Sequence, residues 1–275
     1  MAVVLLSLIP MLGWGQAQVF TKKARIANFL TKTTKIVLTG NQMFDSALKE
    51  DVARCWRVTP YEFCEPAEFD GLKNNGNYYF LRTAPSQDIP GIMFMSLIKG
   101  GKEDNTVNSY YEICQIPVSD SDVSSMHNLV FISAYIDILQ KYMTDAMESD
   151  KVGYAGIEYY CKSMSSITDR NIYIDRSDIG QQVKEDMIGK TFDKNIIISD
   201  SGQTEQLFID NTRDAVIGVM IAPQNPEKGS YCYKMLVSAD GHELLYFDKH
   251  KCIVENMKGF QANDLKEISK AKRKK

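Results

Sequence analysis

The chain has 275 residues, with 32 basic and 35 acidic side chains and a formal net charge of −3. Five positive charges lie in the last six residues, so the remainder has a formal charge of −8. An acidic body argues against a nucleic-acid partner, because such binding depends on positive charges that neutralise phosphates. The length suffices for one large domain or two of ordinary size.

The first residues predict export. Ala2–Trp14 carries no charge and is mostly apolar, and the small residues Gly15 and Ala17 follow it as at a signal-peptidase site. We predict a signal peptide over residues 1–17, cleaved after Ala17, and a mature protein in the periplasm or associated with the cell envelope. The run is shorter than the roughly 20 residues that cross a bilayer, so no transmembrane segment is expected. Since no Lys or Arg precedes Lys22, an upstream start and a buried N-terminal element stay open alternatives.

The first half, residues 18–122, alternates strands and helices. Lys35–Thr39 predicts a strand, and Asn41 is placed to cap the helix that follows it. A short extended stretch and a helix from Pro66 to Leu72 come next. Three further strands are predicted over Asn77–Thr83, Gly91–Gly100 and Ser109–Val118. The order is β-α-β-α-β-β-β.

A central segment separates the halves. Within residues 123–168, apolar residues recur at helical spacing from Leu129 to Met143 and cover a broad face. So broad a face predicts a central helical linker packed on the core.

The second half, residues 169–254, repeats the order of elements. Its predicted strands are Asn171–Asp175, Asn195–Ser199, Ala215–Pro223, Gly229–Ser238 and His242–His250, and its predicted helices are Ile179–Lys190 and Gln203–Asn211. Residues 255–275 predict a short C-terminal helix around Leu265 and Ile268, followed by a basic tail of the kind that is usually solvated.

Local matches between the halves indicate an internal duplication. Leu48–Val52 matches Val183–Met187 at an offset of 135, and Ala84–Pro85 matches Ala222–Pro223 at an offset of 138. Small loop changes would produce such a drift. The predicted fold class is therefore α/β, with mixed sheets, flanking helices and a duplicated β-α-β-α-β-β-β unit; the alternative is the ordinary alternation of any α/β protein.

Six cysteines in an exported protein permit three disulfides. No C-x-x-C pair occurs, which argues against a zinc ribbon or a thioredoxin-type pair. A Cys55–Cys64 bond and buried free thiols are both open.

The stretch His242–Tyr246 begins like the zinc-protease box H-E-x-x-H but places Tyr246 where the second histidine should be. Asp240–Gly241 favours a two-residue hairpin turn just before it. On an extended strand His242 and His250 would lie about 26 Å apart. We therefore predict a hairpin and no metal site.

Other candidate motifs have plainer interpretations. Asp200–Gly202 resembles an aspartic-protease loop, but that chemistry needs a second such loop, so a helix cap is predicted. The turn at Gly40 has amides that could receive an anion. The third histidine, His127, has no evident nucleophile beside it. The sequence predicts no catalytic, metal-binding or cofactor-binding residue and no cofactor.

The phrases "KIVLTGNQMFDSALKEDVARCW", "PYEFC", "GNYYFLR" and "GSYCYKMLVSADGHELLYFDKHK" together resemble an uncharacterised family of exported bacterial envelope proteins. The first strand and helix are also loosely similar to the amino-terminal α/β domain of periplasmic Tol-Pal components and to curli-secretion-type lipoproteins. The chain departs from those lipoproteins by lacking the lipidated cysteine. The resemblance implies an envelope location and carries no catalytic residues.

These observations favour a non-enzymatic envelope protein that binds another envelope protein or a peptide. The alternatives are a hydrolase with its site in the cleft between the halves, marked by clustered acidic and histidine side chains at strand ends, and a small-ligand or metal binder. The oligomeric state is open.

Overall fold

Two five-stranded sheets organise the chain in a computed structural model, which describes residues 22–101, 110–121, 126–167, 169–254 and 257–273. The predicted signal peptide and the last two residues of the basic tail lie outside these ranges. No helix within them is both long and apolar enough to cross a bilayer.

The elements follow in chain order. The helices are α1 (Lys23–Ile26), α2 (Gln42–Cys55), α3 (Pro66–Leu72), α4 (Ile132–Glu148), α5 (Asp150–Ala155), α6 (Ser201–Ile209) and α7 (Ala262–Arg273). The strands are β1 (Thr33–Val37), β2 (Tyr61–Cys64), β3 (Tyr78–Pro85), β4 (Ile92–Gly100), β5 (Tyr110–Asp120), β6 (Asn171–Asp175), β7 (Ile196–Ser199), β8 (Ala215–Ile221), β9 (Tyr231–Ser238) and β10 (Leu244–Lys251). Short 3-10 segments include Met126–Phe131, Gly156–Ile167 and Glu185–Met187.

The second sheet repeats the topology of the first. The first sheet has the order β2-β1-β3-β4-β5, and the second, read from its other edge, has the order β7-β6-β8-β9-β10. In the first sheet β1 runs parallel to both of its neighbours, and in the second sheet β6 does the same. The remaining pairs, among β3, β4 and β5 and among β8, β9 and β10, are antiparallel. The α/β class with mixed sheets and a two-half layout is confirmed.

Local sequence explains the early elements. Asn41 Oδ1 accepts hydrogen bonds from the backbone amides of Met43 and Phe44, both at 3.1 Å, and so caps α2 as predicted. Pro66 stands in the first turn of α3, where its missing amide hydrogen costs nothing.

One hydrophobic core joins the two halves. The inner face of the first sheet contributes residues such as Met95 and Ile116, the facing side of the second sheet contributes Tyr233 and Met235, and α4 belongs to the same cluster. A second core lies on the opposite face of the second sheet, where Leu265 and Ile268 of α7 are packed. The predicted C-terminal helix is confirmed.

The helix predicted over Ile179–Lys190 is wrong. The Gly180 amide donates to the Phe260 carbonyl at 2.9 Å, and the Phe260 amide donates to the Asp178 carbonyl at 2.7 Å. A Cβ on Gly180 would lie 2.7 Å from Gln261 Nε2. The segment therefore pairs with the chain that leads into α7, and this contact replaces the helical hydrogen bonds.

The duplication is correspondingly less regular than predicted. The connection from β6 to β7 contains 3-10 turns where the first half has α2, so the full β-α-β-α-β-β-β order holds only for the first half. The matched segments Leu48–Val52 and Val183–Met187 are not structurally equivalent, because the first is helical and the second contains a single 3-10 turn.

All six cysteines are free thiols. Cys55 belongs to the shared core and Cys64 to a separate cluster with Val37 and Phe69. The Cys55–Cys64 bond is absent, since the two thiols pack in different cores.

Candidate functional site

A cleft of about 340 Å³ lies between the halves. One wall is α2 together with the segment that leads into α4, and the other is α6 with the loop between β9 and β10. Both halves therefore contribute side chains to one cavity. Small-molecule sites typically enclose about 300–1,000 Å³, so the volume suits a small ligand or a few side chains of a partner.

His242 reaches the cleft from the β9–β10 loop. The predicted two-residue turn is wrong: the His242 amide donates to the Ser238 carbonyl and the Ser238 amide to the Glu243 carbonyl, both at 3.0 Å, which closes a longer loop. The left-handed φ falls on His242, at 51°. Histidine tolerates this region better than most residues.

The imidazole of His242 is held on two sides. Its Nδ1 lies 2.7 Å from Asp137 Oδ2 on α4, and its ring stacks on Phe208 of α6 with centroids 5.0 Å apart and planes 16° apart. The His242 side chain is 12% exposed. A carboxylate bonded to Nδ1 fixes ring orientation and tautomer, as in enzymes that use histidine as a base.

The contact extends from α4 to the end of α2. Gln140 Nε2 donates to Asp137 Oδ1 at 3.2 Å and to the Cys55 carbonyl at 3.0 Å, while Gln140 Oε1 accepts from the Arg57 amide at 2.7 Å. His242 in the second half is thus connected to α2 in the first half through two buried or half-buried polar side chains.

A carboxylate and a guanidinium lie on the α2 wall. Asp51 is 8% exposed and pairs with Arg54, whose side chain is 59% exposed. Burial raises the pKa of Asp51 above its ordinary value, although Arg54 opposes this shift. Glu50 lines the same wall and is exposed. The rim of the cleft is charged.

Apolar side chains form the rest of the lining. Leu129 and Val130 lie on one side, with Phe208 and Ile209 on the other. Phe208 also packs edge-on against Phe131, with centroids 4.8 Å apart. Ile209 is 56% exposed, which makes it an accessible apolar residue at the cleft.

His242 also lines a small cavity of about 40 Å³ with Tyr160 and Lys141. The Tyr160 hydroxyl donates to Asp145 Oδ2 at 2.7 Å, and Lys141 Nζ lies 3.0 Å from the same oxygen. This polar group supports α4 next to the histidine.

The loop at Asp200 and the turn at Gly40, which the sequence offered as candidate motifs, do not line this cleft. Asp200 Oδ1 accepts from the Gln203 amide at 2.8 Å, so the predicted helix cap is confirmed. The amides of Thr39 and Gly40 donate to the carboxylate of Asp45 at 2.7 and 2.9 Å. The site predicted to receive an anion is therefore filled by the chain's own side chain.

The zinc-box segment is a hairpin, as predicted. Tyr246 lies on β10 and its hydroxyl donates to Asp264 at 3.4 Å, while His250 Nε2 lies 3.0 Å from the Met257 carbonyl. Among the described residues no group of three or more His, Cys, Asp or Glu side chains could hold a metal ion. The side chain of His127 lies outside the described part of the chain.

Acidic and histidine side chains do meet in the inter-half cleft, but they project from helices and a loop rather than from strand ends. Sequence reasoning missed Asp51 and Asp137. Both lie within apolar helical stretches, next to buried residues such as Val52, Ile136 and Ile138. An acidic residue at such a position was the sequence signal that could have identified them.

No family model, no curated protein and no solved structure matches this chain.

Proposed function

We propose that the chain is an exported envelope protein that binds a partner protein or peptide in the inter-half cleft, and that it is not an enzyme. The observation that carries the proposal is the composition of the cleft, an apolar lining beside a charged rim. Binding sites for protein segments commonly combine an apolar centre with a polar surround.

The apolar lining supplies the anchor point. An inserted side chain would contact Leu129, Val130 and Phe208, and Ile209 would lose its exposure to water. Burial of apolar surface stabilises such a complex by about 25 cal/mol per Å² before the entropy of association is subtracted.

The charged rim supplies orientation. Arg54 and Glu50 lie on the α2 wall with opposite charges, and the exposed guanidinium can pair with a carboxylate of the partner. Exposed charges of this kind affect specificity and the association rate more than affinity. The stacked His242 ring keeps the opposite wall in place, so little ordering is required on binding.

Envelope location rests on the N-terminal apolar segment and on the resemblance described above. If residues 1–17 are removed as proposed, N-terminal sequencing of protein from the native envelope gives Gln18 as the first residue. Protein that retains Met1 would contradict cleavage.

Tagged chain can be recovered from native envelopes after crosslinking and compared with two variants. Ile209→Glu places a charge at the cleft, and Tyr154→Glu changes an apolar residue of similar exposure on α5. We expect stoichiometric recovery of one or two partners by the wild type and by Tyr154→Glu, and their loss in Ile209→Glu. Equal recovery by both variants, or no partner at all, would contradict the proposal.

A hydrolase is the second candidate, and the His242–Asp137 pair favours it. An imidazole held through Nδ1 can accept a proton at Nε2. Ser133 lines the cleft but is only 1% exposed, which makes it a poor nucleophile as it stands. Turnover of ester or peptide substrates by the wild type, lost in His242→Asn, would support this candidate over the first.

A further inference from the structure

A second cleft lies on the outer face of the first sheet, opposite the face that carries Met95 and Ile116. It encloses about 310 Å³ and is formed by strands β3, β4 and β5 and by the loop that follows β3. All of its lining comes from the first half, so it is separate from the cleft that contains His242.

A row of polar side chains crosses three strands at the base of this cleft. Arg82 on β3 is opposite Ser96 on β4, and Ser96 is opposite Gln115 on β5. Glu112 lies close by, with its Oε1 3.4 Å from the Ser96 hydroxyl. The row therefore offers donors and acceptors side by side on a rigid sheet.

These polar groups are not ordinary surface residues. Ser96 is 8% exposed, and burial raises the pKa of Glu112 above its ordinary value. Removing polar side chains from water costs free energy unless hydrogen bonds replace the lost ones. The corresponding side of the second sheet instead presents apolar residues such as Val219 and Met235 to the shared core. The first sheet therefore carries a polar row on this side, where the second sheet has apolar residues.

An aromatic ring holds the Arg82 end of the row. The guanidinium carbon of Arg82 lies 5.1 Å from the centroid of Phe69 on α3, which keeps the arginine from swinging freely into solvent. Tyr110 also lines the cleft and provides flat apolar surface beside the polar groups, whereas Phe94 is 2% exposed and packs on Tyr233 of β9 with ring centroids 5.7 Å apart.

The charges of the lining nearly cancel. Arg82 is positive, whereas Glu112 and Asp88 are acidic, and the remaining polar groups are hydroxyls and amides. Such a lining has no strong preference for a cation or an anion. Amide and hydroxyl groups both donate and accept, and their best partners are hydroxyl groups, which do the same.

We propose that this outer cleft binds a neutral polyhydroxylated ligand, a glycan chain, which rests on Tyr110 and forms hydrogen bonds to Arg82, Glu112 and Gln115. The site is independent of the proposed peptide-binding function and can operate whether or not that function exists.

Labelled mature protein can be applied to a microarray that carries neutral and charged glycans of known structure. We expect saturable binding to neutral glycans. Gln115→Ala and Glu112→Ala should each weaken it by about tenfold or more, since either change removes a hydrogen-bonding partner. Thermal unfolding of each variant establishes that it is folded.

Ile209→Glu is the matched control, because it alters the inter-half cleft and leaves the outer cleft unchanged. Glycan binding should be the same in this variant as in the wild type. The proposal is overturned by absence of binding across the array, by binding to charged glycans alone, or by binding that both outer-cleft variants retain in full.

Discussion

The Nζ of Lys234 lies 2.6 Å from Oδ1 of Asp264 although the Lys234 side chain is only 1% exposed. The same nitrogen is 2.9 Å from Asp248, and the second Asp264 oxygen accepts the Gln261 amide at 2.6 Å. This buried group ties α7 to β9 and β10.

Lys234→Met should lower the free energy of unfolding by about 3–5 kcal/mol, because it leaves the Asp264 carboxylate buried without its cation. Urea denaturation measures the loss. Lys228→Met, at an exposed position, should change stability little. The double variant Lys234→Met with Asp264→Leu should be more stable than Lys234→Met alone; equal stability of the wild type and Lys234→Met would refute the role given to this pair.

Gln140→Leu should destabilise the chain by about 1–3 kcal/mol for each buried group left unpaired. The groups in question are the Arg57 amide and the Cys55 carbonyl. The control is Gln203→Leu, because Gln203 lies at an exposed position on α6. Indistinguishable denaturation midpoints for the two variants would show that Gln140 does not connect α4 with the end of α2.

Glu112→Gln should stabilise the chain at pH 7 to 8. Burial raises the pKa of Glu112 from its ordinary value of 4.5, so the folded state binds the proton more tightly than the unfolded state. Wild-type stability then falls as the pH rises from 4.5 through the raised pKa. Glutamine avoids this loss because its side chain stays neutral. Thermal unfolding at several pH values should show that Glu112→Gln exceeds the wild type in stability by a constant amount above the raised pKa, and that this difference shrinks toward pH 4.5. A difference that grows on acidification would contradict this prediction.

The six thiols should resist modification in the folded state. Burial raises the pKa of Cys161 and Cys232 to about 12 and that of Cys64 to about 11, so little thiolate is present at pH 8. Ellman's reagent should react with six thiols after denaturation and with fewer than one before it. Fewer than six in denaturant would reveal a disulfide.

Much of the fold could be predicted because local pattern and tertiary structure agree. The capped helix after Asn41, the alternating hairpin strands and the apolar pair Leu265 and Ile268 each specify an element within a few residues. The segment Ile179–Lys190 failed because its backbone pairs with Phe260, some eighty residues later, and helical periodicity carries no information about such a contact.

The candidate site could not be predicted for a similar reason. Asp51, Asp137 and His242 come from α2, α4 and the β9–β10 loop. Only the packing of both halves around α4 brings Asp51 and His242 to one cleft and places Asp137 against the histidine. The histidine was noticed for a motif that it does not form. Its actual partner, Asp137, is 105 positions away in the sequence.

Partner binding in the inter-half cleft is tested most directly by photo-crosslinking in living cells, with p-benzoylphenylalanine in place of Ile209 or, as the control, in place of Tyr154. The two positions are similarly exposed, at 56% and 51%, but only Ile209 lines the inter-half cleft. We expect a discrete crosslinked product from position 209 that is missing from position 154. Absence of a product at position 209, or the same products at both positions, would mean that the cleft is not a partner-binding site.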